Sequence, residues 1–147
     1  MTLAQKVAEY GPEIEDAQIV IELNAPDPAL PLKRVDVSTA DAREVLLQTE
    51  EWSTVVMTAE SAAALMQVRG AAITLRDTIE LTTLIRATVP TIYAATETLL
   101  SGLVAAGVLT ANTKDALLSL ANKPQSWAEK NGIEVTARTV ALARGAR

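Results

Sequence analysis

The chain has 147 residues and a net charge of −5, and 49% of its residues are hydrophobic although only 3% are aromatic. It contains no Cys and no His, which excludes disulfides, thiolate nucleophiles, histidine general bases and most zinc, copper and haem sites. The acidic balance disfavours nucleic-acid binding, because duplex affinity comes from Lys and Arg neutralising phosphates. We therefore expect one domain with an aliphatic core, no cofactor, no metal and no nucleic-acid partner.

Neither a membrane span nor a secretion signal is predicted. No apolar run approaches the roughly 20 residues that a transmembrane helix needs. The start "MTLAQKVAEYG" lacks the basic beginning and the apolar middle of a signal peptide. We expect no membrane partner and a protein that is made in the cytoplasm.

The N-terminal segment, residues 1–24, predicts two short helices. Thr2 and Gln5 have capping-box spacing ahead of the first helix, and a glycine ends it. Pro12 suits the first position of a second helix. The apolar residues that follow recur at helical spacing as far as Asn24, where we expect this helix to end.

A proline-rich connector is predicted over residues 25–37. Each of the three prolines in "APDPALPLKR" prevents helix at its own position and favours extended geometry in the residue before it. Two arrangements remain open, because the connector can wrap over its own domain or extend onto a neighbouring subunit. Candidate contacts to a partner are the apolar side chains that we expect at the surface: Tyr10, Pro26, Pro28, Leu30, Pro31, Leu32 and Trp52.

Residues 38–147 are predicted to form a helical core domain, which folds with the preceding segments as a single unit. Ser38 is expected to cap its first helix, and residues 52–57 either extend that helix or form a separate one. Residues 80–87 are ambiguous among a strand, a turn and a helix continuation. Gly70 costs about 1 kcal/mol relative to Ala inside a helix, so we expect it to permit a close helix contact.

The stretch "NKPQSWAEKNGIEVTART" combines several local signals. Ser126 and Glu129 have capping-box spacing for a one-turn helix that Gly132 ends. Trp127 is expected to anchor this helix in the core, because an indole buries more area than the surrounding Ala and Leu. The pieces "VDV" (35–37) and "IEV" (133–135) each carry β-branched residues on one side, which allows them to pair as one minimal two-strand bridge.

These elements predict an all-α fold: a compact bundle of about six to eight short helices with an extended connector.

No set of catalytic residues is predicted within this fold. Adjacent carboxylates at Glu50 and Glu51 point to different sides of a helix, and the acidic group at Glu13, Glu15 and Asp16 is ordinary at a helix start. Without His or a glycine-rich phosphate motif, the sequence indicates a non-enzymatic protein.

In residues 99–145 a helix ends in "AAGV" and is followed by "ALLSLA", KPxSxAExxG and VTxxxVxxAR. In these motifs the C-terminal third resembles small proteins encoded in the genomes of tailed bacteriophages that infect proteobacteria. A weaker likeness covers "DAQIVIELNAPDPALPLKRVDV" (16–37), and residues 38–98 carry no matching motif.

The resemblance implies a structural or assembly component of a virion, from the tail or tail-fibre region. Its implied partners are other phage structural proteins and further copies of itself, and its implied location is the virion. The alternative is a soluble phage-encoded binding module that acts on a host protein. An enzyme would instead need a deep pocket with converging carboxylates and a metal.

Overall fold

A computed structural model describes residues 1–145, and its contacts divide the chain into two compact units. The first unit combines Met1–Lys33 with the described part of Pro124–Arg147, and the second is Arg34–Lys123. This differs from the division expected from the sequence, because the apolar side chains after residue 123 pack on the N-terminal segment. The last two residues of the predicted core domain lie outside the described residues.

Within residues 1–145 the chain forms nine helices and four two-residue strands, so the all-α class is confirmed. In chain order they are α1 (Leu3–Val7), α2 (Asp16–Asn24), β1 (Lys33–Arg34), β2 (Val37–Ser38), α3 (Thr39–Gln48), α4 (Trp52–Glu60), α5 (Met66–Leu81), β3 (Leu84–Ile85), α6 (Pro90–Ala105), α7 (Ala111–Leu120), β4 (Asn122–Lys123), α8 (Trp127–Asn131) and α9 (Ala137–Ala143). The count exceeds six to eight partly because α4 is separate from α3. Glu50 adopts a left-handed φ of 61° between them, which no α-helix can continue through. None of these helices is long and apolar enough to cross a membrane.

The first unit is built around one apolar cluster, to which both ends of the chain contribute. Its buried members are Val7, Ile19, Leu23, Trp127, Ala128, Val135 and Val140. Trp127 is only 7% exposed, which confirms that it anchors α8 in a core. The predicted capping boxes are present before α1 and before α8, and Gly132 ends α8 with a φ of 62°.

Helix α2 begins at Asp16 rather than at Pro12 as predicted. The carbonyls of Gly11 and Ile14 accept hydrogen bonds from the Arg144 guanidinium at 3.2 and 2.7 Å. The same side chain forms an ion pair with Asp16 at 3.0 Å. Because these carbonyls bond to Arg144, residues 11–15 form a turn fastened to the end of α9 and the helix starts after it.

The second unit contains α3 to α7 and the pair of strands β2 and β3. Strand β1 pairs with β4. Strands β2 and β3 are antiparallel, with Val37 opposite Ile85 and Ser38 opposite Leu84. The predicted pairing of residues 35–37 with 133–135 is therefore wrong. The ambiguous segment 80–87 supplies the partner strand instead, and the carbonyl of Val135 accepts a side-chain hydrogen bond from Asn24 at 2.9 Å.

Asp36 fastens the start of this unit to the turn before α6. Its Oδ1 accepts hydrogen bonds from the Thr88 hydroxyl at 2.7 Å and from the Thr88 backbone N–H at 3.0 Å. Both bonds favour the carboxylate, and with the nearby charge of Arg86 they hold the pKa of Asp36 below its usual range. Asp36 therefore stabilises the fold above its unfolded-state pKa, and this contribution is lost as pH falls through the lower folded-state pKa.

Replacing Thr88 by Val should move the pKa of Asp36 upward, because the hydroxyl bond is the largest cause of its depression. An NMR titration of the Asp36 carboxyl measures the change directly. Thr91→Val is the matched control, since Thr91 is exposed near the start of α6 and should leave the Asp36 titration unchanged. An unaltered pKa in Thr88→Val would show that the hydroxyl bond does not form in solution.

Gly70 does not permit a close helix contact, contrary to the expectation from the sequence. It lies within α5 in an exposed position, and a Cβ built on it meets no atom within 4 Å. The glycine therefore carries its conformational cost without a packing gain.

Gly70→Ala should raise the free energy of unfolding by about 0.5–1 kcal/mol, the difference in helix propensity between the two residues. Chemical denaturation followed by circular dichroism measures it. Gly132→Ala should instead lower the free energy of unfolding by about 1 kcal/mol or more, because a side chain at φ 62° is strained. A loss of stability in Gly70→Ala would restore the close-contact interpretation.

Candidate functional site

The proline-rich connector lies on its own unit. Pro26 forms an antiparallel bridge with Ser126, and the Asp27 N–H donates to the Gln125 carbonyl at 2.9 Å. The Gln125 side-chain amide donates to the carbonyl of Pro31 at 2.7 Å. The sequence leaves two arrangements open for the connector. In the structure, the connector residues of the first unit wrap over that unit.

This wrapping brings Tyr10, Pro26 and Pro28 together around one surface pocket of about 290 Å³. We call it the connector pocket. Its lining combines aromatic, proline, aliphatic and charged side chains: Lys6, Tyr10, Glu22, Leu23, Ala25, Pro26, Asp27, Pro28 and Trp127. Three of the seven predicted partner contacts thus belong to one concave site.

The other predicted contacts lie elsewhere. Leu30 is half-buried and packs against the core of the first unit, whereas Pro31 is exposed and Leu32 is 60% exposed. Trp52 belongs to the second unit, where it packs against the apolar core with the Arg43 guanidinium 5.5 Å from its ring. Trp52 is therefore placed by packing and is not part of the connector pocket.

The elements around the pocket place its charged groups by local rules. Lys6 lies in α1, and Tyr10 follows in the turn after this helix, where its N–H donates to the Val7 carbonyl at 3.0 Å. Glu22 is in the last turn of α2, and Asp27 follows where Pro26 has ended the helix. Trp127 begins α8 behind its Ser126 cap, and its lightly exposed side chain lines the pocket from the core side.

Three of the four charged side chains in and beside the pocket are acidic: Glu9, Glu22 and Asp27, with Lys6 as the basic one. Burial, contact with the Glu22 carboxylate and the charges of Glu9 and Asp27 raise the pKa of the Tyr10 hydroxyl, because each of these opposes formation of a phenolate. Lys6 forms an ion pair with Glu9, which offsets its positive charge. Among residues 1–145, neither Glu22 nor Asp27 takes part in an ion pair.

Two of the five carboxylates that sequence reasoning considered for catalysis, Glu51 and Asp16, have structural partners. Glu51 Oε1 accepts a hydrogen bond from the Thr110 N–H at 3.2 Å, ahead of α7, and Asp16 is paired with Arg144. No group of three or more metal-ligating side chains occurs in the part of the chain that the structure describes. The chemistry that the connector pocket offers is recognition, since it combines apolar walls with unpaired negative charge.

Sequence reasoning identified the proline and tyrosine side of the pocket and missed Lys6, Glu22 and Asp27. Tyr10 and the prolines were chosen as apolar residues near a helix end and in a connector, which are local features. Glu22 and Asp27 belong to no motif, and they join the pocket only because α1, α2 and α8 meet. The one available signal is that both carboxylates flank Pro26.

Comparisons with protein-family models, with curated proteins and with solved structures found no match for this chain.

Proposed function

We propose that the chain is a non-enzymatic structural or assembly component of a tailed bacteriophage virion. It acts through protein–protein contacts, in the tail or tail-fibre region, with other phage structural proteins and with further copies of itself. The observation that carries the binding role is the connector pocket, a concave site with proline and aromatic walls. The resemblance of residues 99–145 supports the phage assignment.

Exposed apolar side chains in the second unit support a role in assembly. Met57, Leu65 and Met66, around the turn between α4 and α5, are 71%, 76% and 89% exposed. The stretch "SAAALMQV" (61–68), which contains Leu65 and Met66, has no charged residue. Large apolar side chains grouped in this way are typical of surfaces that become covered in a complex.

Mass spectrometry of purified particles tests the proposal. The protein should be found in virions, or in assembly intermediates, of the phage that encodes it, at a constant ratio to other structural proteins. Its absence from both would contradict the proposal.

A soluble module acting on a host protein is the second candidate, because a negatively charged pocket on an acidic chain also suits a basic host partner. It predicts expression early in infection and specific capture of one host protein that is lost on altering the pocket. Late expression together with incorporation into particles excludes it.

A further inference from the structure

We propose that the connector pocket binds the side chain of a single Lys or Arg residue presented by a partner protein. This inference rests on the proposed function and deepens it, because it gives the chemistry by which the partner is recognised. It follows from the size of the pocket, from the nature of its walls and from the acceptor capacity that its carboxylates keep.

The size of the pocket suits one long side chain. Its volume of about 290 Å³ is at the lower limit of the roughly 300–1,000 Å³ found for sites that bind small molecules. Pro26, Pro28 and Leu23 supply apolar walls for the methylene stem of a Lys or Arg side chain. Tyr10 adds an aromatic ring, against which a cationic head group is attracted.

The charge of the pocket selects a cation. Glu22 Oε1 accepts a hydrogen bond from the Gln18 amide at 2.9 Å, and Asp27 Oδ1 accepts one from the Ala29 N–H at 2.9 Å. The Tyr10 hydroxyl also contacts the Glu22 carboxylate, and in the described residues no donor is found for Asp27 Oδ2. Because a carboxylate offers about four lone-pair sites, both groups keep acceptor capacity for an incoming ammonium or guanidinium group.

The only basic residue in the lining does not cancel this preference. The ammonium of Lys6 is paired with Glu9, which lies just outside the pocket. The carboxylates of Glu9, Glu22 and Asp27 thus outnumber the one lysine, and the chain as a whole carries a charge of −5. Both the local and the overall charge attract a basic segment and repel an acidic one.

Capped tripeptides Ala-X-Ala, titrated into the full-length ¹⁵N-labelled protein, test the inference by NMR. With X as Arg or Lys, amide shifts should change for residues of the connector pocket, with a dissociation constant of about 1 mM or lower. With X as citrulline, the neutral isostere of Arg, or as Leu, binding should be at least about fivefold weaker, because the charge is absent. Equal binding of Arg and citrulline peptides, or no binding of either basic peptide, would overturn the inference.

Two isosteric variants identify the carboxylates. Glu22→Gln and Asp27→Asn keep one oxygen that can accept the internal hydrogen bond, replace the other oxygen with a neutral NH2 group and so remove the charge. Each should weaken binding of the Arg peptide about threefold and the pair about tenfold, in line with partly exposed ion pairs. Glu134→Gln is the matched control, because it removes one charge from an exposed site of the same unit outside the pocket, and it should bind as the unaltered protein does.

Salt and particle composition complete the test. Raising the salt concentration from about 50 to 300 mM should weaken binding of the Arg peptide severalfold, because the ion pairs are partly screened. Unchanged affinity in the double variant or at high salt would contradict recognition by charge. If the basic peptides fail to bind while the protein is present in virions, the inference is wrong and the proposed function stands. If the basic peptides bind but the protein is absent from particles, the inference stands and the proposed function is wrong.

Discussion

Replacing Trp127 by Ala should lower the free energy of unfolding of the first unit by about 3–5 kcal/mol, the usual cost of removing a large aromatic side chain from a core. The indole is only 7% exposed and belongs to the cluster that joins the two chain ends. Its loss leaves a cavity that the surrounding Val and Leu side chains fill only partly. The effect is large because this cluster has only seven buried members.

Native-state hydrogen exchange measures this loss at the amides of α8 and α9, without relying on tryptophan fluorescence, which the substitution itself changes. Trp52→Ala is the matched control for the same change of side chain. Trp52 is half-buried, so its loss should cost less. Trp127→Phe should recover part of the stability, because a smaller ring still fills much of the site. Exchange in Trp127→Ala that equals that of the unaltered protein would place the indole outside the core.

The features that sequence reasoning predicted correctly depend on residues within one helical turn of each other. Ser126 and Glu129 form their capping box ahead of α8, and Thr2 and Gln5 form theirs ahead of α1. Gly132 adopts the left-handed conformation expected after α8. Such contacts follow from backbone geometry and side-chain length, so neighbouring residues are enough to specify them.

The features that it missed depend on residues far apart in the chain. Val37 pairs with Ile85 and not with the "IEV" stretch, although the composition of "IEV" is also compatible with pairing to "VDV". The packing of the helices beneath the strands decides which pair forms. The helix predicted from Pro12 starts only at Asp16, because the preceding turn bonds to Arg144 through its carbonyls. No residue near Pro12 in the sequence indicates this contact.

The connector pocket contains both residues that local patterns predict and residues that they miss. Tyr10, Pro26 and Pro28 were selected from local patterns as surface residues, and all three line it. The carboxylates that give the pocket its charge were not selected, because Glu22 and Asp27 are indistinguishable in the sequence from other exposed acids. Only the meeting of α1, α2 and α8 distinguishes them, so the recognition chemistry of the pocket emerges at the level of tertiary structure.

The structure buries a different side of α6 from the one that helical periodicity indicates. Periodicity places Ile92, Ala95, Leu99, Leu103 and Ala106 on one face, yet the residues that the structure buries are Leu100 and Leu103. Ile92 is 38% exposed and Leu99 is only partly buried. Because α6 is apolar on several sides, periodicity alone does not determine which side faces the core.

Leu103→Ala should lower the free energy of unfolding of the second unit by about 2–5 kcal/mol, the range for truncating a buried leucine. Leu103 has no exposed surface, and it lies in α6 within the cluster that also contains Leu46 and Val55. Its carbonyl also accepts the N–H of Val108 at 2.9 Å where the helix ends, so the side chain is held in a well-defined backbone setting that limits relaxation into the cavity.

The matched control is Leu81→Ala, which makes the same truncation at the end of α5, where Leu81 is 78% exposed. It should change stability by no more than about 0.5 kcal/mol, as exposed substitutions usually do. Hydrogen exchange at the amides of α6 and α7 measures both variants. If Leu99→Ala proved more costly than Leu103→Ala, the face predicted from the sequence would be correct and the buried positions assigned to α6 would be wrong.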